Sequence, residues 1–213
     1  MTTPAPPRTL YHCAQARSAR VIAVLEELGL DYALVTLPFP PRVFEKAYLG
    51  INPLGTVPYF TEGSLAMTES SAICQYLVDR HGPTPLRVAP DETDYGAYLN
   101  WLSYADATLT FPQTLVLRYT RLEQGERRLT QAAEDYRAFF NGRLKLLAKA
   151  LSDGRDWLCA GRFTIADICV GYGTALARIL KIDDRFTPEV NAWTDRVLAR
   201  PSMVKAMAGD LGL

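Results

Sequence analysis

With 213 residues, 48% of them hydrophobic, the chain can build one large domain or two small ones around a core that needs no covalent staples. Its 23 basic and 23 acidic side chains cancel, which leaves no field to gather nucleic acid, and no apolar run approaches the roughly 18 residues of a membrane span. Four cysteines without a C-x-x-C spacing and only two histidines argue against a disulfide scaffold, a dithiol redox pair or a multi-histidine metal site, so no metal is expected.

Leu10-Tyr11-His12 predicts a short strand, and after a turn Ser18 can cap a helix whose apolar positions Val21, Val24, Leu25 and Leu28 keep helical spacing until Gly29 ends it. Tyr32 to Leu37 is apolar and β-branched enough for a second strand, parallel to the first. Pro38, Pro40 and Pro41 then break the chain, Arg42 to Leu49 predicts a short, poorly ordered helix, and Asn52-Pro53-Leu54-Gly55 is turn chemistry leading into a strand Val57-Pro58-Tyr59-Phe60. Thr61 to Ser64 turns that strand back onto Leu65-Ala66-Met67, and a further helix begins near Glu69-Ser70 and stops at His81-Gly82. The order βαβαββα describes a small α/β domain over residues 1–82. A proline-rich linker over 83–91 follows, and 92–213 reads as helices throughout, with Tyr95, Leu99, Leu102 and Leu109 on one stripe.

Three stretches carry specific chemistry. In Gly55-Thr56-Val57-Pro58-Tyr59-Phe60 a proline sits where a central strand normally excludes one, which points either to a cis bond that frees the Val57 backbone for an extended peptide ligand or to a strand-initiating edge proline. In Met67 to Ile73 the open N–H groups of a helix start, with the Ser70 hydroxyl, suit a carboxylate, and Glu69 suits an ammonium beside it; Thr68 and Ser70 as plain caps is the alternative. In Gly161-Arg162-Phe163-Thr164-Ile165-Ala166-Asp167-Ile168 the Thr164 and Asp167 pair is a capping box with a structural role.

The order of elements, with N-P-L-G-T-V-P, T-E-S-S-A-I and G-R-F-T-I-A-D-I, resembles the cytosolic glutathione transferase superfamily across essentially the whole chain, and ARSARVIAVLEELGLDY is similar to its bacterial members. The resemblance implies a thioredoxin-like N-terminal domain that binds glutathione as co-substrate, an all-helical C-terminal domain, a hydrophobic electrophile site between them, a homodimer and a cytoplasmic location. By motif position, Val57 would pair with the cysteinyl backbone, Pro58 would be the family's cis-proline, and Glu69 and Ser70 would hold the γ-glutamyl end. Asp106 interrupts an apolar stripe and would reach the γ-glutamyl ammonium across the dimer. Arg42, with Lys46, would receive the glycyl carboxylate, and Thr56 stands where a longer polar residue is usual.

Family members activate the glutathione thiol with a serine or cysteine in the loop after the first strand, or with a tyrosine at the strand end. Here the loop position falls on Gln15 or Ala16, neither of which has a hydroxyl. Ser18 ranks first as a substitute, followed by Tyr11 and the amide of Gln15 or a backbone N–H near Arg17, whose guanidinium also favours an anion. Cys13 is expected to be an inert thiol. Tyr104, Thr108, Phe111, Leu115 and Tyr119 follow one stripe of the first long helix and are the expected lining for an apolar electrophile. The resulting expectation is a transferase in which glutathione thiolate attacks a hydrophobic electrophile or reduces a peroxide or disulfide. A non-catalytic binding module on the same fold and a glutathione-dependent isomerase or ether-cleaving enzyme are the alternatives.

Overall fold

The computed structural model describes residues 7–209. The chain divides into two compact units, one running to Thr84 and taking in the segment from Pro201, the other spanning Pro85–Arg200.

In the first unit, β1 (Arg8–His12), α1 (Ser18–Glu27), β2 (Ala33–Thr36), α2 (Pro41–Phe44), a 3₁₀ turn (Lys46–Gly50), β3 (Tyr59–Glu62), β4 (Leu65–Met67) and α3 (Ser70–Arg80) follow the expected order. They form a four-stranded sheet in the order β2-β1-β3-β4. β1 runs parallel to β2, with Leu10 opposite Leu34, and antiparallel to β3, with Tyr11 opposite Tyr59. Because side chains alternate along a strand, Leu10 and His12 are buried on one face while Tyr11 takes the other. Val21, Val24 and Leu25 of α1 and Ile73, Leu77 and Val78 of α3 are all buried. The mixed sheet and its helices are the thioredoxin-like arrangement.

Two details differ from the sequence expectation. Pro58 lies one residue before β3 rather than inside it, so it removes no ladder hydrogen bond. The last helix, α9 (Pro201–Ala206), joins this unit instead of the helical one. It packs on α1, where Ser202 Oγ donates to Glu27 Oε1, Lys205 Nζ lies 2.7 Å from Glu26 Oε1, and Met203 and Ala206 are buried.

The second unit is built from α4 (Tyr95–Ser103), a π-helical segment (Tyr104–Thr110), α5 (Phe111–Leu117), a second π-helical segment (Arg118–Leu122), α6 (Thr130–Leu151), α7 (Ile165–Leu180) and α8 (Pro188–Leu198). On α6 the buried residues Phe140, Leu144, Leu147 and Leu151 recur every three or four positions, each contributing about 1.5 to 3 kcal/mol of burial. α7 is buried on nearly every side. It starts with the capping box: Thr164 Oγ1 accepts from Ala166 N–H at 3.2 Å, and Asp167 Oδ2 accepts from Thr164 N–H at 2.9 Å. The proline-rich stretch after Thr84 packs into this unit, with Leu86 and Val88 buried and the Leu86 carbonyl accepting from Ile165 N–H.

Candidate functional site

At the C-terminal end of β1 a cluster of Cys13, Ala16, Tyr48 and Val57 is packed by Tyr11, Leu37, Phe39 and Tyr59. The Tyr11 ring centroid lies 5.3 Å from that of Tyr48 and 5.8 Å from that of Tyr59. Val57 is only 6% exposed, the Val57-Pro58 bond is cis, and neither the N–H nor the C=O of Val57 has a hydrogen-bond partner among the described residues. Buried main-chain groups are paired in the great majority of cases, because leaving one unpaired costs about 1 to 3 kcal/mol. An unpaired N–H and C=O on one residue are the groups that an extended ligand laid alongside can pair with.

The expected thiol-activating groups occupy distinct places around this corner. Ser18 is the first residue of α1, not its cap: the cap is Arg17, which makes no side-chain capping bond. The Ser18 hydroxyl is completely buried and shares a 2.8 Å hydrogen bond with His12 Nδ1. Burial pushes His12 down to about 4, so the imidazole is neutral and Ser18 faces an uncharged partner inside the core. Gln15 adopts a left-handed backbone, φ 56°, and its amide Nε2 donates to the Gly209 carbonyl at 2.9 Å. Ala16 brings only a methyl group to the cluster. Cys13 is fully buried, and burial pushes its thiol up to about 12, which keeps it protonated. Tyr11 is partly exposed, packs against the Val57 cluster, and its hydroxyl has no partner among the described residues.

The start of α3 carries a second group of expected residues. Glu69 is the N-cap, exposed and making no side-chain capping bond, which corrects the reading of Thr68 and Ser70 as caps. Ser70 is buried, and its Oγ accepts from the guanidinium of Arg20 at 3.0 Å. A fully buried guanidinium thus stands behind the N-terminus of α3, and both attract an anion. Arg20 lies on the buried face of α1, and that is its sequence signal: a charge within an apolar stripe. Arg42 is exposed and Thr56 half-buried, while Gly55 links them. Gly55 has φ +58°, and a Cβ there would meet Arg42 Cβ at 2.6 Å and Leu49 Cδ2 at 2.8 Å, so only glycine fits.

In the helical unit the expected stripe runs through two π-helical segments that change its period. Pro112 has no N–H to offer the carbonyl four residues back, and the preceding turn widens into a π segment in which Phe111 N–H bonds the Asp106 carbonyl. Tyr104 and Phe111 both meet α6, and Phe111 is also 56% exposed. Tyr104 is buried, packs edge-on against Trp101 and donates to the Arg143 carbonyl at 2.8 Å; Phe111 meets Tyr136 edge-on. Thr108, Leu115 and Tyr119 stay partly exposed, as does Asp106. On α4 the buried residues are Tyr98, Trp101 and Leu102, with Leu99 turned outward.

Sequence reasoning passed over Tyr48 and took Asn52 only as part of a turn; both donate to the Thr56 carbonyl, each at 2.8 Å. An asparagine before Pro-x-Gly is the recognisable signal, since Asn52 Oδ1 accepts from Leu54 N–H in a side-chain-closed turn.

Residues 10–85 match the family model "Glutathione S-transferase, N-terminal domain" and residues 114–201 match "Glutathione S-transferase, C-terminal domain". The glutathione S-transferase-like protein tpcF of Aspergillus fumigatus is 27% identical, over 95% of this chain and 95% of its own. Glutathione S-transferase GstA of Escherichia coli O157:H7 is 27% identical, over 94% and 98%. The glutathione transferase URE2P6 of Phanerochaete chrysosporium, solved with oxidised glutathione, superposes with a TM-score of 0.80 at 28% identity over 94% of both chains. With both halves of one family matched in order along the chain, and the fold shared with its solved structures, the chain belongs to the cytosolic glutathione transferase superfamily.

Proposed function

We propose that the protein binds glutathione in its first unit and uses the thiolate against a hydrophobic electrophile, or to reduce a peroxide or disulfide. The observation that carries this reading is the unpaired backbone of the buried residue Val57, in the cluster against which Tyr11 packs. The tripeptide lies along Val57 and Pro58, with its γ-glutamyl carboxylate at the Ser70 end of α3 and its ammonium at Glu69. Arg42 and Thr56 flank the glycyl end, Arg17 adds positive charge at the start of α1, and Asp106 serves the γ-glutamyl ammonium across a homodimer. Thr108, Leu115 and Tyr119 contact the electrophile. Among the described residues no helix is long and apolar enough to cross a membrane. By likeness to its family we assign the protein to the cytoplasm.

Bringing a thiol from about 8.5 to about 6.5 requires roughly 2.7 kcal/mol of anion stabilisation. A hydrogen bond to a charged group supplies about 1.5 to 3 kcal/mol, and a helix N-terminus about 0.3 to 1 more. Tyr11 is the best-placed donor, because Ser18 is held by His12 and Gln15 by Gly209. A second reading, a binding module without turnover, is favoured by Ala16 at the loop position and by that engaged Gln15 amide. Ultraviolet titration of bound glutathione separates the two. The expected result is a thiolate band at neutral pH that Tyr11→Phe shifts upward by about one to two pH units, and that Ser18→Ala leaves in place. Binding without the band favours the module, and a band unmoved by Tyr11→Phe removes Tyr11 from its role.

A further inference from the structure

The Val57 N–H belongs to the same peptide unit as the Thr56 carbonyl. That unit is trans, the described cis bonds lying elsewhere, so its N–H and C=O point in opposite directions. The carbonyl is held on one side by two donors, the Tyr48 hydroxyl and the Asn52 Nδ2, each at 2.8 Å. Both side chains are 1% exposed and neither is loose. The Tyr48 ring packs against Tyr11, and burial pushes its phenol above the ordinary range, so it stays a donor at any working pH. Asn52 is anchored by its own backbone, its N–H donating to the Tyr48 carbonyl and its C=O accepting from Gly55 N–H, both at 2.9 Å.

We propose that Tyr48 and Asn52 are positioning residues: by clamping the Thr56 carbonyl they fix the direction of the Val57 N–H, and so set the affinity for the cysteinyl carbonyl of glutathione. This rests on the function proposed above. The clamp acts on the peptide backbone and not on sulfur, which separates it from thiol activation. It also acts before any ligand arrives, because a preset N–H loses no freedom on binding.

The test compares the full chain with Tyr48→Phe and Asn52→Ala, all ¹⁵N-labelled. Tyr48→Phe keeps the ring and removes only the hydroxyl, so it stays informative where Asn52→Ala fails to fold. Residual dipolar couplings on the free chains report the orientation of the Val57 N–H, calorimetry gives the glutathione Kd, and thiolate absorbance gives the pKa of the bound thiol. Tyr48→Phe is expected to reorient the Val57 N–H, to weaken binding about five- to tenfold, to reduce the downfield shift of the Val57 amide on binding, and to leave the bound thiol pKa unchanged. An unchanged Kd in a folded Tyr48→Phe chain overturns the assignment, as does weaker binding with the Val57 amide unaffected or with a shifted thiol pKa, since general loosening of the corner would produce either. A wild-type chain that binds no glutathione overturns the function itself, and the clamp with it.

Discussion

His12 and Ser18 show how one residue's burial sets a pH response. His12 titrates near 4 in the folded chain and near 6.5 when unfolded. Between those values the unfolded chain binds the extra proton, so stability contributed by neutral His12 is present above pH 6.5 and is lost as pH falls towards 4, by about 3 kcal/mol in all. Asp167 works the other way over part of that window, its carboxyl raised to about 6 chiefly by burial, and thus favouring the folded state at the lower pH. The informative measurement is therefore a difference: the midpoint of thermal unfolding against pH for wild type and His12→Asn, with the variant expected to lose the His12 share of the acid slope. Parallel curves would show that His12 does not titrate on unfolding. The Ser18 hydroxyl was visible in the sequence, but its partner was not, because the pairing joins the end of a strand to a helix across six positions. A hydroxyl next to a predicted ligand corner reads as a donor until something in the fold is seen to engage it.

At the scale of the element, local chemistry was the most legible. The parallel pair of β1 and β2, the hairpin of β3 and β4 and the capping box of α7 each follow from signals within a few residues. The box carries a direct prediction. Asp167 accepts from the backbone N–H groups of Leu158 and Thr164, both at 2.9 Å. Asp167→Ala leaves these two donors unpaired in the core and is expected to cost about 2 to 4 kcal/mol, read as a lower urea midpoint at unchanged glutathione affinity per folded molecule. A shift below about 0.5 kcal/mol would show that the box is idle. The helix after Ser103 was less legible. Its apolar spacing fits a regular 3.6-residue period, and the single sign of departure is Pro112, whose effect falls on the turn before it. The π turn changes the helical period there, and Tyr104 and Phe111, on either side of it, both meet α6.

For the molecule as a whole, the order of elements was legible and the closing of the first unit was not. α9 follows a run of helices and carries no mark that assigns it to the sheet-bearing unit; that assignment depends on α1 presenting Glu26 and Glu27 to Lys205 and Ser202. A chain ending at Arg200 is expected to lose about 2 to 5 kcal/mol through the missing Met203 and its neighbours, seen as an earlier first transition in urea, whereas an unchanged midpoint would mean that the unit completes itself without α9. The bond from Gln15 to Gly209 extends the same connection to the ligand corner. For anyone labelling the protein, Gly209 is therefore a poor point of attachment, because a probe fixed there would disturb the bend that carries Gln15. Binding constants from such a sample would describe the probe as much as the chain.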